Sequence, residues 1–462
     1  MNKTRLFSAV ALTSLAATLV ACQTGPLLQP GAFNQNPALV GAQSAGRNMT
    51  TARGAELKAA AQRGLAAMPG EFIVRMKPGA SAAAALSQGG LRSMNMQAEP
   101  IGNPALGISL VRSAAGLRAA NAGADQQTLA SLRSNPAVLY AEPNMIVKLN
   151  LPAATEPAPR ETAPQAFPND PMFEKQYAHQ RMQSQKGWEV EQGNKDFILA
   201  IVDTGVDMKH PDLAAKMLPG YNTVDDNPNV EDGNGHGTHV AGIAAAITNN
   251  GAGVAGVAPN VKILPVQVLS KEGYGSYESV ANGIIWAADH GAKVISMSLG
   301  GPSNSAVITD AVKHALAKDA MLIAASGNDG NSSISYPAGV PGVMAVGASD
   351  STDKIARFSQ FGKHLSVSAP GVNILATFPT YPTDMPGVNY GSISGTSMAT
   401  PAVSGLAALV RSKYPQLNAA QVKAHIEATA DDTGTPGFDL YHGHGRINVF
   451  KAVSTAPGAV RR

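Results

Sequence analysis

The chain of 462 residues contains one cysteine, Cys22. No intramolecular disulfide can form, so stability must come from other devices. Charge is also scarce. Charged residues are 15% of the chain and the net charge is +3, too little to argue for nucleic acid or an acidic membrane surface. Beyond the first twenty or so residues no apolar run is long enough to span a bilayer. Apolar residues, at 44%, and glycine, at 47 residues, are plentiful. They suit a large core with many tight turns. The length suggests two or three domains.

The lone thiol has an informative setting. Residues 1–22, "MNKTRLFSAVALTSLAATLVAC", begin with Lys3 and Arg5 and continue as small and apolar residues. This reads as an export signal. "LVAC" at 19–22 is similar to a bacterial lipoprotein box, so Cys22 is expected to be lipidated after cleavage. The expected location is the cell envelope or the medium, with a lipid anchor and a folded part free to be released from it.

Residues 23–68 are rich in Ala, Gly, Gln and Asn and read as a flexible tether. "GEFIVRMKPGA" (70–80) reads as a strand and turn. "DQQTLASLRSNPAVLYAEPNMIVKLN" (125–150) reads as a helix, a strand, a Pro turn and a further strand. Residues 69–150 are therefore expected to form a small α+β module. The Pro/Ala-rich stretch 151–167 is a linker by composition.

From 168 to 456, before a short tail at 457–462, the texture changes. Continuous apolar runs occur in "DFILAIVDTG", "VKILPVQVLS", "AKVISMSLGG", "AMLIAASGN" and "GVMAVGASD". They are too short for ordinary helices and suit strands buried on both faces. Helical patterns lie between several of them. Alternating strands and helices predict an α/β fold, a three-layer doubly wound and mostly parallel sheet. Chemistry is then expected at the carboxyl ends of the strands.

Three polar stretches stand at such places. Asp203 ends the run in "IVDTG". His236 opens a small-residue helix in "GNGHGTHVAGIAAAI". Ser397 lies in the first helical turn of "SGTSMATPAVSG". An imidazole with a reference pKa of about 6.5 can take a serine proton at neutral pH. A carboxylate can hold that imidazole and stabilise its cation. A helix N-terminus places N–H groups near a developing oxyanion. Asn328, after the "LIAAS" strand, can add a side-chain amide. His239 also lies close, but "HGTH" has no glutamate of a zincin helix, so it reads as structural. "DTG" occurs twice, at 203–205 and 432–434, yet the second sits in helical, polar surroundings unlike a paired aspartic-protease turn. An α/β-hydrolase would need G-x-S-x-G, and "GTSMA" ends in Ala399.

"IVDTGVD", "GHGTHVAG", "AASGN" and "GTSMATPAVSG", in that order, resemble the signatures of subtilisin-like serine proteases, the subtilases, with thermitase-like features. The resemblance implies an endopeptidase that works through an acyl-enzyme. In it Asp203 orients, His236 is base and acid, Ser397 attacks, and Asn328 with Ser397 holds the oxyanion. It implies that the segments bearing Gly273, Gly275 and Tyr277 and bearing Ser298, Leu299 and Gly300 pair with an extended peptide, with Ser335 lining the pocket. Broad specificity with apolar or medium P1 residues is expected. It also implies structural Ca²⁺ at Asp170, Asp212, Thr248, Asn250, Ala252 and Val254, and a second site at Asp225, Asp226, Asn229 and Asp232. The 69–150 module resembles an inhibitory propeptide, removed by self-cleavage in the linker region. The chain is then a zymogen acting on proteins or peptides, with its propeptide as intramolecular partner and a monomer as its expected state. The competing reading is a non-catalytic cell-surface protein on a protease scaffold.

Overall fold

The computed structural model describes residues 52–87, 95–113, 122–152 and 168–459. Cys22, the export signal and residues 153–167 lie outside the described residues.

The N-terminal module begins earlier than its composition suggests. Helix α1 (Ala52–Gln62) falls within the stretch expected to be a tether. It buries Leu57 and Ala60 against Met68, Val224 and Tyr274. Its Arg53 makes two hydrogen bonds of 2.7 Å to the Glu71 carboxylate. An alanine-rich helix with few apolar anchors looks like a linker by composition, and its order comes from these tertiary contacts. β1 (Ala67–Met76), α2 (Ala82–Leu86), β2 (Met96–Pro100), β3 (Ile108–Ser113), α3 (Ala122–Ser134) and β4 (Val138–Lys148) complete the module.

β4 is one strand where two were expected, and it runs straight through Pro143. There β4 has β1 as a strand neighbour on one side only, the edge-like setting in which a missing N–H is tolerated. The module's own strands run in the order β2-β3-β1-β4 and are antiparallel. Phe72, Val74, Val111 and Val138 pack under α2 and α3 on one face. Ile73, Ile108, Leu110 and Val147 point the other way. This two-residue alternation gives the sheet two apolar faces.

The larger body contains, in order, α4 (Tyr177–Arg181), α5 (Ser184–Trp188), β5 (Ile198–Asp203), β6 (Tyr221–Asn222), α6 (His236–Ala245), β7 (Lys262–Gln267), β8 (Tyr274–Ser276) and α7 (Tyr277–Asp289). There follow β9 (Val294–Met297), α8 (Ala306–Ala317), β10 (Met321–Ala325), β11 (Met344–Ser349), β12 (Leu365–Pro370), β13 (Ile374–Thr377) and β14 (Tyr390–Ile393). Helices α9 (Thr396–Lys413), α10 (Ala419–Thr429) and α11 (Val449–Ser454) end the fold. Seven strands form one parallel sheet of order β12-β11-β10-β9-β5-β7-β6. All five apolar runs read from the sequence supply strands of it.

Alternate residues of each central strand enter different layers. Leu199, Ile201, Val294 and Ile323 join the core under α6 and α9. Ala200, Val202, Ile295 and Leu322 join the core under α7 and α8. The module's Ile73, Ile108, Leu110 and Val147 share that second core with Val280, Ile284 and Ile285 of α7. Polar contacts reinforce the docking. Glu142 accepts from Ser305 Oγ (2.6 Å), Ala306 N (2.9 Å) and Val307 N (3.0 Å) at the start of α8. A carboxylate is favoured there by the unpaired N–H groups and the helix dipole. Asn144 Oδ1 accepts from Glu278 N (3.1 Å) at the start of α7.

Candidate active site

Asp203 is the last residue of β5, an interior strand flanked by β7 and β9. It is fully buried. Its Oδ1 accepts from Thr204 N at 2.8 Å and from His236 Nδ1 at 2.7 Å. With Nδ1 committed to Asp203, Nε2 is the basic nitrogen of His236, and it has no protein partner among the described residues.

His236 is the first residue of α6. Asp232 holds this helix start. Its carboxylate accepts from Gly235 N (2.7 Å), Thr238 N (2.8 Å), Thr238 Oγ1 (2.7 Å) and Thr204 Oγ1 (2.8 Å). Gly237 has no room for a side chain, because a Cβ would lie 2.0 Å from the Gly205 carbonyl oxygen. That approach brings the helix start against the end of β5. His239, one turn on, donates Nε2–H to the Ile374 and Gly391 carbonyls. Burial pushes its pKa down to about 3, so it is a neutral structural residue, as read from the sequence.

Ser397 is the second residue of α9, which is buried from Thr396 to Arg411. Gly395 precedes it at φ 153°, a region essentially confined to glycine. Pro401, four residues on, has no N–H to give the Ser397 carbonyl. Ser298 Oγ donates to that carbonyl instead, at 2.7 Å. Ser397 Oγ in turn donates to the Ser298 carbonyl at 3.1 Å, so its hydroxyl is not bonded to His236. The clue to Ser298 was in the sequence: a proline four residues after a helical serine strands that serine's carbonyl. α9 packs closely on α6. A Cβ on Gly405 would come within 2.6 Å of the Ala244 carbonyl oxygen. Ser394 accepts from Asn373 N, and Ser404 bonds Ser296, so both are tied up in packing.

Asn328 follows β10. Its Oδ1 accepts from Thr396 N and Thr396 Oγ1, both at 2.9 Å. These donors fix the amide orientation. Nδ2 therefore faces the cleft, where it donates to the Asn150 carbonyl at 2.6 Å. Sequence reasoning missed Thr396 in this role.

The Gly273–Gly275 segment already holds a strand. β4 pairs antiparallel with β8, Lys148 opposite Tyr274, Val147 opposite Gly275 and Ile146 opposite Ser276. Gly273 lies close to Leu149, with a Cβ there only 3.2 Å from the Leu149 Cβ. Ser298 and Leu299 are buried, and Gly300 lies against Ser335. Tyr277 is buried in the same core as Val147 and Leu299, and its hydroxyl donates to the Ser303 carbonyl at 2.5 Å.

Asp170, Asp212 and the 248–254 loop come together. Asp170 accepts from Asn249 N (2.8 Å) and Asn250 N (3.2 Å). Asp212 accepts from Val254 N (3.0 Å) and from Asn250 Nδ2 (2.9 Å). Asn250 thus turns its nitrogen to Asp212, and its Oδ1 accepts from Ala252 N. Among the described residues, the carbonyl oxygens of Thr248, Ala252 and Val254 accept no hydrogen bond. Neither carboxylate has a cationic partner among the described residues. Burial raises the Asp170 pKa, the Asn249 and Asn250 N–H groups oppose this, and the charge of Asp212 adds to it. Uncompensated carboxylates beside unpaired carbonyls fit a hard divalent cation.

The second expected metal set does not assemble. Asp232 is fully buried and spends its oxygens on the α6 start. Asp225 accepts from Asn222 Nδ2, Asp226 from the Tyr221 hydroxyl, and Asn229 Oδ1 from Glu231 N. An acidic run looks like a ligand loop in sequence, but here its side chains serve separate turns. Among the described residues no three His, Cys, Asp or Glu side chains gather as a metal cluster.

A model of the Subtilase family matches residues 194–445. Thermitase of Thermoactinomyces vulgaris is 46% identical over 287 residues, which are 62% of this chain and 99% of thermitase. The thermophilic serine proteinase of Bacillus sp. strain AK1 is 42% identical over 324 residues, 70% of this chain and 75% of that protein. Among solved structures, fervidolysin from Fervidobacterium pennivorans, described as a keratinolytic enzyme related to subtilisin, aligns with a TM-score of 0.73 at 28% identity. That alignment covers 85% of this chain and 62% of fervidolysin. With the parallel sheet and these matches together, the chain belongs to the subtilase family of serine endopeptidases.

Proposed function

We propose that Asp203, His236 and Ser397 are the catalytic triad of an exported endopeptidase made as a self-processed zymogen. The observation that carries this reading is the His236 Nδ1 to Asp203 bond of 2.7 Å, made by the first residue of a helix that packs against α9. Asp203 keeps His236 in the tautomer with a basic Nε2. On catalysis Ser397 turns its hydroxyl from the Ser298 carbonyl to Nε2 and attacks. Such contacts often tighten only in the substrate complex. Asn328 Nδ2 and the Ser397 N–H stabilise the oxyanion. A fluorophosphonate probe tests the assignment. It should label the mature protein once, at Ser397, by peptide mapping. Labelling of another serine would sink it.

Residues 69–150 act as the inhibitory propeptide, because β4 lies along β8, where a peptide substrate would add as a strand. Substrates are proteins and extended peptides, read broadly through backbone pairing. Export rests on the 1–22 segment and its lipobox cysteine. No helix among the described residues is long and apolar enough to cross a membrane.

Asp170, Asp212 and the carbonyls of Thr248, Ala252 and Val254 would hold a structural Ca²⁺, tying the start of the catalytic body to the loop after α6. Bound metal stabilises by mass action, about 2.7 kcal/mol at a hundredfold excess over Kd. EDTA is therefore expected to lower Tm by roughly 5–10 °C, and Ca²⁺ to restore it. A thermal scan that EDTA leaves unmoved removes the calcium assignment.

A further inference from the structure

We propose that the chain cuts itself between Asn150 and Leu151, and that Asp329 reads the side chain on the acyl side of that bond. The proposal rests on the zymogen reading above and adds the bond and the selecting residue.

The register leads to the bond. β4 enters the cleft with Ile146, Val147 and Lys148 opposite Ser276, Gly275 and Tyr274. The pairing continues one residue further, as Leu149 N donates to the Gly273 carbonyl at 2.8 Å. The next carbonyl, that of Asn150, accepts from Asn328 Nδ2 at 2.6 Å. Asn328 is itself held by Thr396, the residue before Ser397. The chain thus offers the Asn150 carbonyl to the donor assigned to the oxyanion. Three residues upstream, Val147 is 2% exposed in the core shared by Tyr277 and Leu299. This anchor fixes the strand against sliding, because a one-residue slip would turn Val147 out of that core. Downstream, Leu151 packs on the core that includes Met398 and Ala399 of α9.

The side chain on the acyl side is also read. Asn150 Nδ2 donates to Asp329 Oδ1 at 3.0 Å. Asp329 is the residue after Asn328, so one short segment holds both the carbonyl and the side chain of Asn150. A carboxylate acceptor favours residues that present an N–H group. The sequence reading, by contrast, expects apolar or medium residues at this position.

The step balances with water as co-reactant. Ser397 Oγ bonds to the Asn150 carbonyl carbon as His236 takes its proton. The bond from that carbon to the Leu151 nitrogen breaks as His236 gives the proton to the nitrogen. Water then attacks the ester, giving the Asn150 carboxylate and restoring the Ser397 hydroxyl.

A time course on the full chain, with and without Ser397→Ala, tests the bond by intact mass and terminal sequencing of the first products. The expected result is a new N-terminus at Leu151 and a new C-terminus at Asn150 in the native sequence, and neither in Ser397→Ala. A first cut at another bond, with Ser397→Ala intact, overturns the assignment while the protease reading stands. A Leu151 terminus in Ser397→Ala overturns self-cleavage. A native chain that neither cuts itself nor digests casein overturns both. For Asp329, kcat/KM is compared on two peptides differing only in Asn or Leu before the scissile bond. Asp329→Ala should lower the Asn-to-Leu ratio by roughly threefold to tenfold, the net worth of one typical hydrogen bond. An unchanged ratio overturns the role of Asp329.

Discussion

Ser397→Ala is expected to lower kcat on a peptide substrate by about 10⁶-fold, the size seen when a subtilisin loses its serine. That corresponds to about 8 kcal/mol of barrier. The loss would be large because the serine, histidine and aspartate of such a triad act as a unit. With no hydroxyl to attack, the basic Nε2 of His236 has nothing to deprotonate. What remains comes from substrate binding and the oxyanion donors, which still act on attack by water. The fold should tolerate the change well. Ser397 Oγ makes one hydrogen bond, to the Ser298 carbonyl. The contact that replaces a helix bond across Pro401 uses the Ser397 backbone carbonyl and survives the substitution. Stopped assays of casein or a chromogenic peptide, with circular dichroism as a control for folding, check the result. The full chain should also stay uncut. Activity within tenfold of the native enzyme would move the nucleophile elsewhere, although the neighbouring serines are poor substitutes. Ser394 is bonded to the Asn373 N–H, and Ser404 lies deep in the helix against Ser296.

How far the sequence carried this result differs between parts of the chain. β5, β7, β9, β10 and β11 were legible as apolar runs because a parallel strand is covered on both faces and has no polar side to interrupt it. The positions of Asp203, His236, Asn328 and Ser397 followed from their places at strand ends and helix starts. β12 was not legible. "LSVSAP" carries two serines, yet every residue of it is buried. α1 was hidden for a related reason. Its order depends on Arg53 reaching Glu71, eighteen residues away, and on Leu57 meeting Val224 and Tyr274. Composition has no access to such pairs. Asp232 shows the limit at the site itself. In the sequence it is one of several acids in a loop. In the fold it is the buried acceptor that holds the start of the His236 helix. The same holds for Asn150, an ordinary linker-edge residue until β4 brings its carbonyl to Asn328.

Asn328→Ala is expected to cost about 10²–10³-fold in kcat, or about 2.7–4 kcal/mol, a range measured for the corresponding kind of donor in a subtilisin. The amide has two ends with different tasks. Its oxygen is held by the N–H and hydroxyl of Thr396, and its nitrogen is left facing the cleft. The donor is therefore in place before charge develops on the substrate oxygen, and little reorganisation is needed when it does. Since that bond strengthens as the carbonyl becomes an oxyanion, the loss should fall mainly on kcat, with KM changing by less than about threefold. Alanine also leaves the Thr396 N–H and hydroxyl without their acceptor. Asn328→Asp separates this structural effect from the chemical one. The carboxylate can still accept from Thr396, but it presents an acceptor where the developing negative charge needs a donor. It should be at least as slow as alanine while melting closer to the native protein. Steady-state kinetics on one peptide, with a thermal scan of both variants, decides the point. If Asn328→Asp kept more than a third of the native kcat, stabilisation of the oxyanion would have to come from the Ser397 N–H and the α9 terminus alone.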